Sequence, residues 1–75
     1  MQKEIFHLRP DDEFIELIKL LKLLQIAQSG GHAKIIVADG LVRVNGEEEL
    51  RKRKKLRAGD IVELEGVSVQ VLAAK

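Results

Sequence analysis

From Phe14 onward the apolar residues Phe14, Leu17, Ile18, Leu21 and Leu24 recur at intervals of three and four, the spacing that gathers side chains on one helix face. Arg9-Pro10-Asp11-Asp12 precedes them as a stop followed by capping carboxylates, so the pattern predicts a helix starting there. Ile15, Leu20 and Leu23 widen its apolar face against the polar Glu16, Lys19 and Lys22, which places it centrally. Gln28-Ser29-Gly30-Gly31 breaks the pattern. Ser29 is a candidate N-cap for a second helix with Ala33, Ile36 and Val37 on one face, ended by Gly40 in a left-handed conformation. Beyond it the period shortens to two. Leu41 to Val44 reads as a strand, Asn45-Gly46 as a type I′ hairpin turn, and Glu47 to Leu50 as the returning strand. Ala58-Gly59-Asp60 reads as a turn, Ile61 to Glu65 as a half-buried strand, Gly66 as another turn, and Val67, Val69 and Val71 as a last strand. The predicted class is α+β: two N-terminal helices packed on a small, mainly antiparallel sheet.

Composition bounds this picture. Seventy-five residues with 45% hydrophobic content fit one folded domain, residues 1–75, with a core over about 13–66 and a last strand over about 67–72. With no cysteine, neither disulfides nor thiolate metal sites are available. Phe6 and Phe14 are the only aromatic residues, so the core is aliphatic and the stacking platform of many single-strand binders is lacking. No signal-peptide pattern opens the chain, and charges interrupt the Phe14–Ile26 stretch, so the expectation is a soluble, cytoplasmic protein with no membrane partner.

The net charge of +1 says little, but its distribution says more. Residues 1–40 hold five basic and six acidic side chains; residues 41–75 hold eight and six, and six of those eight cations fall within Arg51, Lys52, Arg53, Lys54, Lys55 and Arg57. Such a run repels itself, and a phosphate chain relieves the repulsion while releasing counterions. A solvated loop or a basic patch read by a protein accounts for it equally well on charge alone, and Glu47-Glu48-Glu49 just upstream could neutralise part of it. Ser29-Gly30-Gly31-His32-Ala33-Lys34 opens a helix, where free amides favour an anion and Lys34 adds charge; a tight interhelical turn explains the glycines as well.

Conventional catalytic groupings are missing. His7 and His32 are isolated, Ser29 and Ser68 form no triad with them, and Asp11, Asp12 and Glu13 suit a helix N-terminus. The expectation is a non-enzymatic protein with no cofactor, no metal and no small-molecule substrate.

Ser29 to Lys34, then Asp39-Gly40-Leu41-Val42-Arg43-Val44-Asn45-Gly46, then Gly59-Asp60-Ile61-Val62 together resemble the S-four RNA-binding domain over about residues 13–66. Ser-Gly-Gly-x-Ala-Lys at Ser29 to Lys34 and Arg-Lys-Arg-x-Lys-Leu at Arg51 to Leu56 are similar to the small stand-alone bacterial members of the YbcJ and YaaA type. The resemblance implies the alpha-L fold, with a basic face presented to structured RNA, ribosomal or transfer RNA among the candidates. Where many family members open their helices with Arg-Leu-Asp and Ser-Arg, this chain has Glu13-Phe14-Ile15 and Ser29-Gly30. That departure moves the expected phosphate contacts to Lys34 and Arg51 to Arg57, with Arg43 extending the patch and Ser29, Gly30, Gly31 and His32 offering a contact at the helix start. The alternative is an interaction module that docks its basic loop on an acidic protein.

Overall fold

A computed structural model describes residues 2–74. The chain opens with a strand, not a helix: β1 (Gln2–His7) lies parallel to the last strand, β7 (Val67–Leu72). The sequence reading missed it because Gln2-Lys3-Glu4 carries no apolar alternation, and only tertiary pairing with β7 makes it a strand. After it come β2 (Ile15–Glu16), α1 (Leu17–Leu23), α2 (Gly30–Ala38), β3 (Arg43–Val44), β4 (Glu47–Glu48), β5 (Lys55–Leu56) and β6 (Ile61–Leu64). The main sheet has the order β1-β7-β6-β3-β4 and is mixed, antiparallel except at its β1 edge. β2 and β5 form a separate antiparallel pair.

The predicted start of α1 is corrected. Asp11 and Asp12 stay exposed outside the helix, and Glu16, at the N-cap, makes no capping bond from its side chain. The amides of Leu17 and Ile18 donate instead to the carbonyls of Lys54 and Lys52, at 2.9 and 3.2 Å. Orphan donors of a helix start must find acceptors, and here the backbone of the basic run supplies them. The end of α1 also falls earlier than the glycines suggested. Gln25 takes the left-handed conformation, φ 60°, and the amides of Gln25 and Ile26 close on the carbonyls of Lys22 and Leu21, a Schellman arrangement built without glycine.

α2 follows the sequence closely. The Ser29 hydroxyl accepts the His32 amide at 3.1 Å, and with Gly40 at φ 74° the helix closes as the Gly40 and Leu41 amides donate to the carbonyls of Val37 and Ile36. Leu17, Leu20 and Leu21 of α1 and Ala33, Ile36 and Val37 of α2 enter one core with Val42, Val44, Leu56, Val62, Leu64, Val69 and Val71. Leu8 and Ile15 join it, while Leu23 is exposed.

Asn45 and Gly46 both have positive φ, as a type I′ turn requires, and pair Val44 with Glu47; the returning strand is shorter than expected, ending at Glu48. Asn45 also reaches across the sheet. Its side chain donates to Asp60 Oδ1 at 3.0 Å and accepts the Ile61 amide at 2.9 Å, while Asp60 Oδ2 accepts the Arg57 amide at 2.8 Å. The Asn-Gly and Gly-Asp motifs, distant in sequence, are thus one hydrogen-bonded unit.

Candidate nucleic-acid interface

Both ends of the basic run are fixed. Its carbonyls cap α1, Lys55 and Leu56 pair with Glu16 and Ile15, and Arg57 is tied to the Asp60 turn. Because α1 packs directly on α2, this anchoring brings the run beside the second helix. Lys34 of α2 and Lys52 and Arg53 of the run line one open concavity of about 610 Å³, together with Ile18 and Leu50. Arg51, Arg53, Lys54 and Lys55 border a second, adjoining through Arg53.

The cations are not equally available. Arg51 donates from its side chain to both carboxylate oxygens of Glu49, at 2.9 and 3.1 Å, and from its backbone amide to Oε2 at 3.0 Å. Glu49 is buried at 8% exposure, and these bonds from Arg51 hold its carboxyl below the usual carboxylate range despite burial. Arg53 bonds Glu16 through Nε at 2.8 Å. The anticipated neutralisation therefore involves Glu49 alone of the three consecutive glutamates, together with Glu16, which charge patterning had assigned to a solvated helix face. Lys34, Lys52, Lys54, Lys55 and Arg57 make no ion pair among the described residues. Lys55 Nζ and Arg57 Cζ lie 4.9 and 5.7 Å from the centre of the Phe14 ring, a cation–π arrangement that holds the end of the run against the residue preceding β2.

Arg43 stands apart. Across the sheet it is registered with Glu48 on one side and Glu63 on the other, and Glu63 is followed by Ser68 and Lys3. Directly opposed residues share a sheet face, so Arg43 belongs to a row of alternating charge and lines a different concavity, with Leu41 and Glu63. At the start of α2, Ser29 Oγ accepts the His32 amide while His32 Nδ1 accepts the Gln28 amide at 3.0 Å. An acceptor nitrogen carries no proton, which puts the neutral ring's proton on Nε2. Both side chains are engaged in capping, leaving the Gly30 and Gly31 amides as the open donors of the first turn. A Cβ at Gly30 would meet nothing within 4 Å, so internal packing does not require glycine there.

The fold of a helix pair on a mixed sheet is that of a known class. Residues 8–72 match the S4 domain family, and the chain belongs to it. Its relatives include the Escherichia coli (strain K12) protein named "Putative RNA-binding protein YbcJ", 51% identical over 64 residues, which are 85% of this chain and 87% of that protein. The Bacillus subtilis (strain 168) protein named "Probable ribosome maturation protein RlbA" is 46% identical over 56 residues, 75% and 79% of the two chains. The solution structure of E. coli YbcJ, described as having an alfaL motif involved in RNA-binding, superposes with a TM-score of 0.70 at 46% identity, covering 92% of this chain and 86% of that one.

Proposed function

We propose that this single-domain protein is a non-catalytic RNA-binding module that grips structured RNA, ribosomal or transfer RNA among the candidates, by its phosphates. Family membership and the naming of YbcJ support RNA as the partner. The observation that carries the phosphate-grip reading is that Lys34 and the Lys52–Arg53 segment line one concavity although Lys34 and Lys52 are 18 positions apart in sequence. In this reading Lys34, Lys52, Lys54, Lys55 and Arg57 neutralise phosphates, Arg51 and Arg53 contribute partial charge beside their carboxylates, and the Gly30 and Gly31 amides offer a further contact. Arg43 is peripheral to the grip.

Release of counterions from the phosphates makes the mechanism measurable. With about four phosphates engaged, log affinity for a structured RNA should fall against log salt with a slope of about −3. Fluorescence anisotropy with a labelled RNA hairpin, between low and physiological salt, measures it. Lys34→Ala and Lys52→Ala should each reduce the slope by roughly one. A flat salt response, or an affinity and salt slope unchanged after both substitutions, refutes the phosphate grip. Ribonuclease-resistant capture of an acidic protein would favour the interaction-module alternative.

A further inference from the structure

At positions 49 and 50 the usual placement of polar and apolar side chains is reversed. Glu49 is buried at 8% exposure, whereas Leu50 stands 55% exposed. The Glu49 amide donates to the Val42 carbonyl at 3.0 Å, and the carboxylate is turned inward under Arg51. Leu50 then projects into the concavity, beside Ile18 and among Lys34, Lys52 and Arg53. Burying a carboxylate costs desolvation, and exposing a leucine forgoes apolar burial. Folding alone would favour the opposite arrangement.

A concavity lined by two aliphatic side chains and three cations suits a ligand that carries both an anion and a flat apolar face. A bare phosphate has no use for Leu50. Paired RNA keeps its base faces stacked inside the helix, so a stem brings phosphates and riboses to this surface but no base face. We propose that the concavity seats one unpaired nucleotide, its base packed on Leu50 and Ile18 and its flanking phosphates held by Lys34, Lys52 and Arg53. The proposal rests on the RNA-binding reading and deepens it: the substrate class becomes structured RNA with a bulged or looped-out base. An open volume of about 610 Å³ lies within the roughly 300–1,000 Å³ range of small-ligand clefts.

The test compares three RNA hairpins of the same stem: fully paired, with a single-nucleotide bulge, and with that bulge made abasic. The abasic bulge keeps the phosphate and the distorted backbone but removes the base. Wild-type protein should bind the bulged hairpin at least about fivefold more tightly than either of the others, an advantage of ~1 kcal/mol. Leu50→Ser should erase the advantage while leaving affinity for the paired stem and its salt slope unchanged, and Leu50→Met should restore most of it. Because Leu50 is exposed, melting of Leu50→Ser should match wild type and serves as the folding control. Equal affinity for bulged and abasic hairpins overturns the nucleotide seat while the phosphate grip stands. Failure to bind any of the three overturns both readings.

Discussion

Replacing Glu49 with glutamine keeps the shape of the side chain and removes its charge. In the folded protein the carboxylate accepts three bonds from Arg51, two from the guanidinium and one from the backbone amide. A sheltered charge-assisted hydrogen bond contributes about 1.5–3 kcal/mol, whereas an exposed ion pair contributes about 0–1. Here the acceptor is sheltered, but the Arg51 side chain is 72% exposed and its half of the pair is screened by water. The amide of glutamine retains one acceptor oxygen and turns its NH₂ toward the guanidinium. Discounting for solvent, Glu49→Gln should cost about 1 kcal/mol near neutral pH, which in a domain of this size lowers the melting temperature by roughly 4–8 °C. Since Arg51 holds the Glu49 carboxyl below its ordinary value, the stabilisation is complete above the unfolded carboxylate's pKa of about 4.3 and is lost as pH falls through the lower folded value. Thermal melts followed by circular dichroism should therefore show a gap between wild type and variant near neutral pH that closes in acid, where protonated Glu49 resembles glutamine. A variant as stable as wild type at neutral pH, or a gap that persists undiminished in strong acid, would refute the reasoning.

Three further perturbations probe other joints of the molecule. Asn45→Ala removes the bonds to Asp60 and the Ile61 amide and places alanine at φ 53°; urea denaturation should show a loss of about 2 kcal/mol, and an unaltered midpoint would mean the hairpin and the Gly-Asp turn are not coupled. Gln25→Gly relieves a left-handed residue at φ 60° at the end of α1 and should raise the urea midpoint by an amount corresponding to about 0.5–1 kcal/mol. Gly40→Ala should destabilise by about 1 kcal/mol or more, since φ is +74° and the new Cβ would sit 3.1 Å from Glu48 Oε2; Gly30→Ala, with open space around its Cβ, should leave the melting temperature unchanged or slightly raised.

Residues that act through local geometry were legible in the sequence. Ser29 caps α2 and Gly40 ends it because both roles depend on the backbone of a few neighbouring residues, and Asn45-Gly46 turns the chain because both positions accept positive φ. Val67, Val69 and Val71 announced a strand by their alternation. The clustering of cations in Arg51 to Arg57 needed only counting. Tertiary structure decided what such local rules cannot carry. β1 exists through pairing with β7 at the far end of the chain, and α1 begins at Leu17 because the carbonyls of Lys52 and Lys54 reach its first amides, overriding the nearby aspartates. The same contacts carry the basic run to Lys34, divide its cations between those held by Glu49 and Glu16 and those left open, and separate Arg43 into the alternating charges of the sheet. Charge is written in the sequence residue by residue, but whether two charges meet a carboxylate or one another depends on distances that long-range packing sets.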